Sequence, residues 1–109
     1  MIFKLVDPLG NEVALTEECW VNHILVEHPI MKHFFYELKE VIVSPDFIFK
    51  SKISKKTFLY FKKFTKEGWG NFYLMSAVEK KPKKKKGFIK TSFPVYNLSK
   101  GGELIWKKF

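Results

Sequence analysis

Apolar positions recur along the chain with two different periods. Ile2 to Asp7 reads as a short strand, Pro8-Leu9-Gly10-Asn11 has turn chemistry, and Glu12 to Leu15 can return as a second strand, so a hairpin opens the chain. The period then lengthens. Trp20, Ile24 and His28 fall at i, i+4 and i+8, with Val21 and Leu25 beside them, which is the spacing of one helix face. Thr16 is placed to cap this helix, and Glu17 and Glu18 suit the positive end of its dipole. Pro29 disfavours a helical conformation at His28 and ends the helix there. A second helix spans about Met31 to Val43, with Phe34, Phe35, Leu38, Val41 and Ile42 on its apolar face, and Ser44-Pro45-Asp46 stops it.

The remainder reads as sheet. Phe47 to Ile53, Thr57 to Phe64, Phe72 to Glu79 and Phe88 to Phe93 are rich in the aromatic and β-branched residues that strands favour. Leu104-Ile105-Trp106 can add an edge strand. The connections are short, and a parallel crossover needs a dozen or more residues, so consecutive strands should pair antiparallel. Helices segregated from strands indicate an α+β fold: two N-terminal helices packed on a four-stranded, or larger, antiparallel sheet. Residues 1–109 form one domain on this reading, with no repeat and no linker. Val21, Ile24, Leu25, Leu38, Ile42, Leu74 and Ile89 are the expected core.

Composition adds a partner class. The chain carries 20 lysines and no arginine against 11 acids, a net charge of +9. Such an excess attracts polyanions at long range, although lysines also serve to keep a Phe-rich protein soluble. Hydrophobic residues make up 46%, enough for a core, which argues against disorder. Cys19 is the only cysteine, so neither an intramolecular disulfide nor a cysteine-cluster metal site is available. No signal peptide and no membrane-length apolar run is present, which points to the cytoplasm and away from a membrane.

Three histidines could carry chemistry. His23 and His28 are spaced i, i+5, whereas a two-histidine metal face needs i, i+4, and His33 lies beyond Pro29; neither a metal nor another cofactor is expected. His28 lies on the apolar face at the helix C-terminus. It is either a core histidine bonded to a carbonyl or a general acid or base. Lys80 to Lys86, with Pro82 among them, is either a solvated hairpin loop or an electrostatic finger on a phosphate backbone. Alternation puts Lys50 and Lys52 on one sheet face, and Phe58, Tyr60 and Lys62 on one face, so that bases could stack on rings while lysines hold phosphates. Lys50, Lys52, Tyr60, Lys62 and the loop residues Lys83, Lys84, Lys85 and Lys86 are therefore candidate RNA contacts. Lys90, Thr91 and Ser92 offer an ammonium and two hydroxyls to a scissile phosphate.

Several of these residues form an ordered pattern. Leu15-Thr16-Glu17-Glu18-Cys19-Trp20, then His23-Ile24 and His28-Pro29, resembles the opening helix of the phage-associated barnase–EndoU–colicin–RelE-like nucleases. Pro45-Asp46-Phe47-Ile48, Thr91-Ser92-Phe93 and Gly102-Glu103-Leu104-Ile105-Trp106 are similar to that family's later motifs in the same order, from Leu15 to Trp106. Ile30 departs from the pattern, since an acid often follows the His-Pro. The resemblance implies an RNase-like fold and a metal-independent, often toxin-like ribonuclease, with His23, His28, Thr91 and Ser92 as the positions that carry over. The leading expectation is an endoribonuclease acting by 2′-OH transesterification, with His28 or His23 as acid or base and Lys90 as electrostatic stabiliser. The alternatives are a non-catalytic RNA-binding module and a protein-interaction domain recognised by an acidic antitoxin or immunity protein.

Overall fold

In a computed structural model, which describes residues 1–81, 83–98 and 102–109, the chain builds one seven-stranded sheet. Pro82 of the lysine run lies outside the described residues. The strands are β1 (Phe3–Val6), β2 (Glu12–Leu15), β3 (Phe47–Ser51), β4 (Thr57–Lys66), β5 (Gly70–Lys81), β6 (Lys86–Val95) and β7 (Gly102–Lys107), in the order β1-β2-β6-β5-β4-β3-β7. This corrects the expected fold class. The sheet has seven strands rather than a four-stranded core, and it is mixed, because β2 pairs parallel to β6 from Glu12↔Lys86 to Ala14↔Phe88. The argument from short connections holds for β3 through β6, which are antiparallel neighbours. It could not reach β2, whose neighbour lies far along the chain across the helices. β7 does form an edge, antiparallel to β3.

The helical layer also differs from two regular helices. The first helical stretch covers residues 17–27 and contains a π turn at Trp20–Ile24 between two short α segments. Thr16 caps it, its hydroxyl accepting from the Cys19 amide at 3.1 Å. A π turn inserts one extra residue and rotates the following face. Strict 3.6-residue spacing therefore fails here: Ile24 is buried, Leu25 is partly buried, and Val21, expected in the core, is 54% exposed. The stretch stops at His28, as Pro29 requires, but the next segment is not continuous. A 3-10 turn at Pro29–His33 precedes the α-helix Phe35–Val43. Leu38, Val41 and Ile42 of that helix are buried with Ile24, Met31, Phe34, Leu74, Val78 and Ile89 in the main core, on the helix-covered face of the sheet. A smaller cluster of Phe61, Met75 and Ala77 lies on the opposite face.

Beyond Phe88, where β2 stops pairing, the first helical stretch lies along β6. The Cys19 thiol there donates to the carbonyls of Ile89 at 3.0 Å and Lys90 at 3.4 Å. Burial, and then the Glu18 charge, push that thiol's pKa up, which fits a donor rather than a nucleophile.

Gly87, paired with Lys80 in the ladder, shows how tightly this region is packed. A Cβ there would stand 2.9 Å from Cγ1 of the fully buried Val78 and 3.2 Å from the Glu79 carbonyl oxygen. Gly87→Ala should therefore destabilise the fold by about 1–3 kcal/mol through overpacking. Urea denaturation checks this, and an unchanged midpoint would show that β6 shifts freely.

Candidate nucleic-acid interface

An acid and a base that lie far apart in the chain, Asp7 and Lys80, meet at one end of the sheet. Asp7 closes β1 with its side chain turned inward and is only 4% exposed. Its Oδ1 accepts from the backbone amides of Leu9 at 2.9 Å and Asn11 at 2.8 Å, a local turn of the kind aspartate favours. Its Oδ2 accepts from Asn11 Nδ2 at 3.2 Å and from the Tyr60 hydroxyl, and lies 3.5 Å from Lys80 Nζ. Lys80 itself is 6% exposed, with its ammonium 4.3 Å from the centre of the Phe58 ring and 5.1 Å from that of Tyr60. Burial lowers the Lys80 pKa, and the Asp7 charge opposes the shift. Burial, reinforced by Asp7, drives the Tyr60 phenol far above the ordinary tyrosine value.

Lys80 also lines a cavity of about 430 Å³, together with Lys56, Lys81, Lys83 and Lys84. Two turns converge to make it. The Lys80 amide donates to the Lys56 carbonyl at 2.8 Å, which places the β3–β4 and β5–β6 turns at the same end of the sheet. The β5–β6 turn is closed by the Lys84 amide on the Lys81 carbonyl at 3.1 Å, and Lys85 takes a left-handed φ of 49°. Glycine would adopt that conformation without steric cost; a lysine there adds charge at the tip. Lys56, Lys81, Lys83 and Lys84 are exposed, so four lysine side chains border one concavity beside Lys80, which is tied to the Asp7 carboxylate. An anion entering it relieves their mutual repulsion.

The candidate catalytic residues sit elsewhere, about the middle of β6. The His28 ring is partly exposed and lies 4.5 Å from that of Phe93, inclined by 30°. Thr91 and Lys90 stand on the same strand; Lys90 is exposed and Thr91 Oγ1 is buried without a partner among the described residues. Ser92 is fully buried and donates to the Met75 carbonyl at 2.6 Å, so its hydroxyl is already engaged inside the sheet. His23, within the π turn, and His33 are both exposed. The structure thus brings His28 to β6 and leaves Ser92 on the inner side.

The candidate RNA contacts divide in the same way. Lys83, Lys84, Lys85 and Lys86 are exposed around the hairpin tip. Lys50 is half-buried between Phe58 and Glu103 in the ladder, and Lys52 is exposed just beyond it. Lys62 donates to the Ser44 carbonyl at 2.8 Å, at the end of the second helix. Tyr60 is fully buried with its hydroxyl given to Asp7, which leaves no ring face for a base. Alternation groups it correctly with neighbours on one face, but that face is the core.

Asp7 and Lys56 are not among the contacts that the sequence nominates, and Lys80 and Lys81 enter there only as members of the lysine run, with no sign that Lys80 is buried. A signal for Lys80 exists: Phe72, Leu74, Ser76, Val78 and Lys80 continue one inward-facing row of β5. Among the described residues no group of three or more His, Cys, Asp and Glu side chains stands close enough to hold a metal ion. No helix among them is long and apolar enough to cross a membrane. Comparison of the chain with known protein families, with curated proteins and with solved structures gives no match.

Proposed function

We propose that this protein is a cytoplasmic, metal-independent ribonuclease that holds the phosphate backbone of RNA at the lysine cavity and cleaves it beside His28. The observation that carries the reading is the cavity itself: five lysines around one concavity at the end of a +9 chain. Phosphodiesters are the abundant polyanion that such a surface attracts, and the 2′-hydroxyl of RNA supplies an internal nucleophile. In the proposed reaction a base takes the 2′-OH proton and the 2′-oxygen attacks the adjacent phosphorus. The P–O5′ bond breaks, an acid protonates the departing 5′-oxygen, and a 2′,3′-cyclic phosphate remains. His28 is the acid or base, with His23 as the substitute, and Lys90 stabilises charge on the phosphorane. The order of short motifs from Leu15 to Trp106, which resembles that of phage-associated toxin-like nucleases, supports this reading. An acidic antitoxin or immunity protein would compete for the same lysines.

The test is to incubate the purified protein with single-stranded RNA in excess chelator and follow both binding and cleavage. Binding should weaken steeply with salt as counterions are released. Replacing Lys83 to Lys86 by serine should weaken binding to all sequences alike. It should also reduce the slope of log K against log salt by about 0.7 for each phosphate that is no longer neutralised. An unchanged slope would show the hairpin to be a solvated loop. Salt-dependent binding with no cleavage would leave a non-catalytic RNA-binding module.

A further inference from the structure

The face of the sheet away from the helices carries a second cavity, of about 340 Å³, lined by Leu59, Phe61, Met75, Phe93, Val95 and Asn97. Strand pairing aligns three of these side chains across one face: Phe61 lies opposite Met75, and Met75 opposite Phe93. The lining is apolar and partly aromatic except for Asn97, which is exposed. Phe93 belongs to two settings at once: it lines this cavity, and its ring stands 4.5 Å from that of His28.

An occupant has to match each of these features. It needs an apolar body that can lie against aromatic rings, a polar edge for one amide, and a size near the small end of ligand cavities. It must also come with the partner that the lysines attract. An aliphatic chain satisfies the first requirement and wastes the amide. A nucleobase satisfies all of them, because every base has an apolar π-face and a hydrogen-bonding edge. An asparagine side chain offers one acceptor and two donors to such an edge.

Resting on the RNA reading above, we propose that this cavity is a base-binding subsite. It seats the nucleotide next to the phosphate that His28 addresses, with Phe93 as the stacking platform and Asn97 as the reader of the base edge. The lysine cavity then supplies affinity without regard to sequence, and this subsite decides where along the strand the backbone stops. Phosphate contacts position a nucleic acid, whereas base contacts select its sequence.

The experiment uses the whole chain and hexamers of 2′-O-methyl RNA, whose blocked 2′-oxygen prevents cleavage. Four homopolymers are compared with an abasic oligomer of equal charge. The wild type should bind at least one homopolymer about ten-fold more tightly than the abasic chain. Phe93→Leu keeps the apolar bulk, removes the π-face, and should erase that difference at an unchanged salt slope. Asn97→Ala, at an exposed position, should retain the gap to the abasic oligomer but level the preference among the four bases. Melting curves of both variants confirm that they are folded. If the wild type binds the abasic oligomer as well as the others, or if Phe93→Leu preserves the gap, the subsite is wrong while RNA binding stands. If no oligomer binds at low salt, the RNA reading falls and takes the subsite with it.

Discussion

Asp7→Asn should lower the stability of the protein by about 3 kcal/mol, the low end of the cost of breaking a buried ion pair. The substitution keeps size and shape, and the asparagine oxygen can still accept from the amides of Leu9 and Asn11, so the turn is retained. What is lost is the charge 3.5 Å from Lys80 Nζ, leaving an ammonium that is buried among Phe58 and Tyr60 without a counter-ion, together with the Oδ2 acceptor of the Tyr60 hydroxyl and of Asn11 Nδ2. The low end applies because Lys80 also borders the 430 Å³ cavity, through which water can reach it. The double variant Asp7→Asn with Lys80→Met should recover the part of the loss that comes from the unpaired ammonium, since an apolar side chain of similar volume in its place carries no desolvation cost. Urea denaturation of the two variants measures both effects. A single-variant loss below about 1 kcal/mol would mean that the ammonium swings into solvent and the pair is not structural.

The deficit should depend on pH in a defined direction. Burial holds the Lys80 pKa below its ordinary value, and Asp7 resists that shift. Between the folded and unfolded lysine values the unfolded chain binds more protons, so stability rises with pH across that window. Removing the Asp7 charge deepens the depression and extends the window downward. The Asp7→Asn protein should therefore gain on the wild type as pH is raised towards the ordinary lysine value of 10.5. Tyr60 acts oppositely at higher pH. Its raised pKa means that the folded chain keeps a proton the unfolded chain loses, so stability falls once pH passes the ordinary tyrosine value of 10.0.

The Asp7–Lys80 pair marks where sequence reasoning stops and why. Local chemistry was legible: the opening hairpin, the Thr16 cap, the helix end at Pro29 and the antiparallel run from β3 to β6 all follow from short-range pattern. Each partner follows an alternating row, Asp7 after Phe3 and Leu5, Lys80 after Leu74, Ser76 and Val78, but ending the strand at Glu79 left Lys80 in the lysine run. Their meeting was not legible, because it needs the order β1-β2-β6-β5 and therefore the parallel β2–β6 pairing, which no local signal specifies. A lysine-rich string hid Lys80 further, since composition makes all its members look solvated. The π turn departs from periodicity in a different way: Trp20–Ile24 does not follow the 3.6-residue repeat, and Val21 within it is exposed. The His28 ring lies against Phe93 of β6, while Ser92 points inside, a placement that depends on tertiary packing and not on any pattern local to the helix.

His28→Gln should cut RNA cleavage by about two to four decades, the span assigned to a positioned acid or base. That loss is about 2.7–5.5 kcal/mol on the barrier, larger than anything the side chain contributes to folding. Glutamine keeps much of the size and some hydrogen bonding, but it cannot exchange a proton near neutral pH. The ring is partly exposed and its aromatic contact is with Phe93, so its removal should cost no more than about 1 kcal/mol of stability. RNA affinity should hold as well, because the lysine cavity lies away from His28 at the hairpin end of the sheet. A structural histidine gives the reverse pattern: the melting temperature falls, and activity declines only in proportion to the folded protein that remains. Cleavage, melting and affinity measured on one preparation separate the two. Near-wild-type cleavage by a well-folded His28→Gln protein would remove His28 from the mechanism and pass the role to His23, whose exposed position in the π turn makes His23→Gln the matching variant to assay beside it.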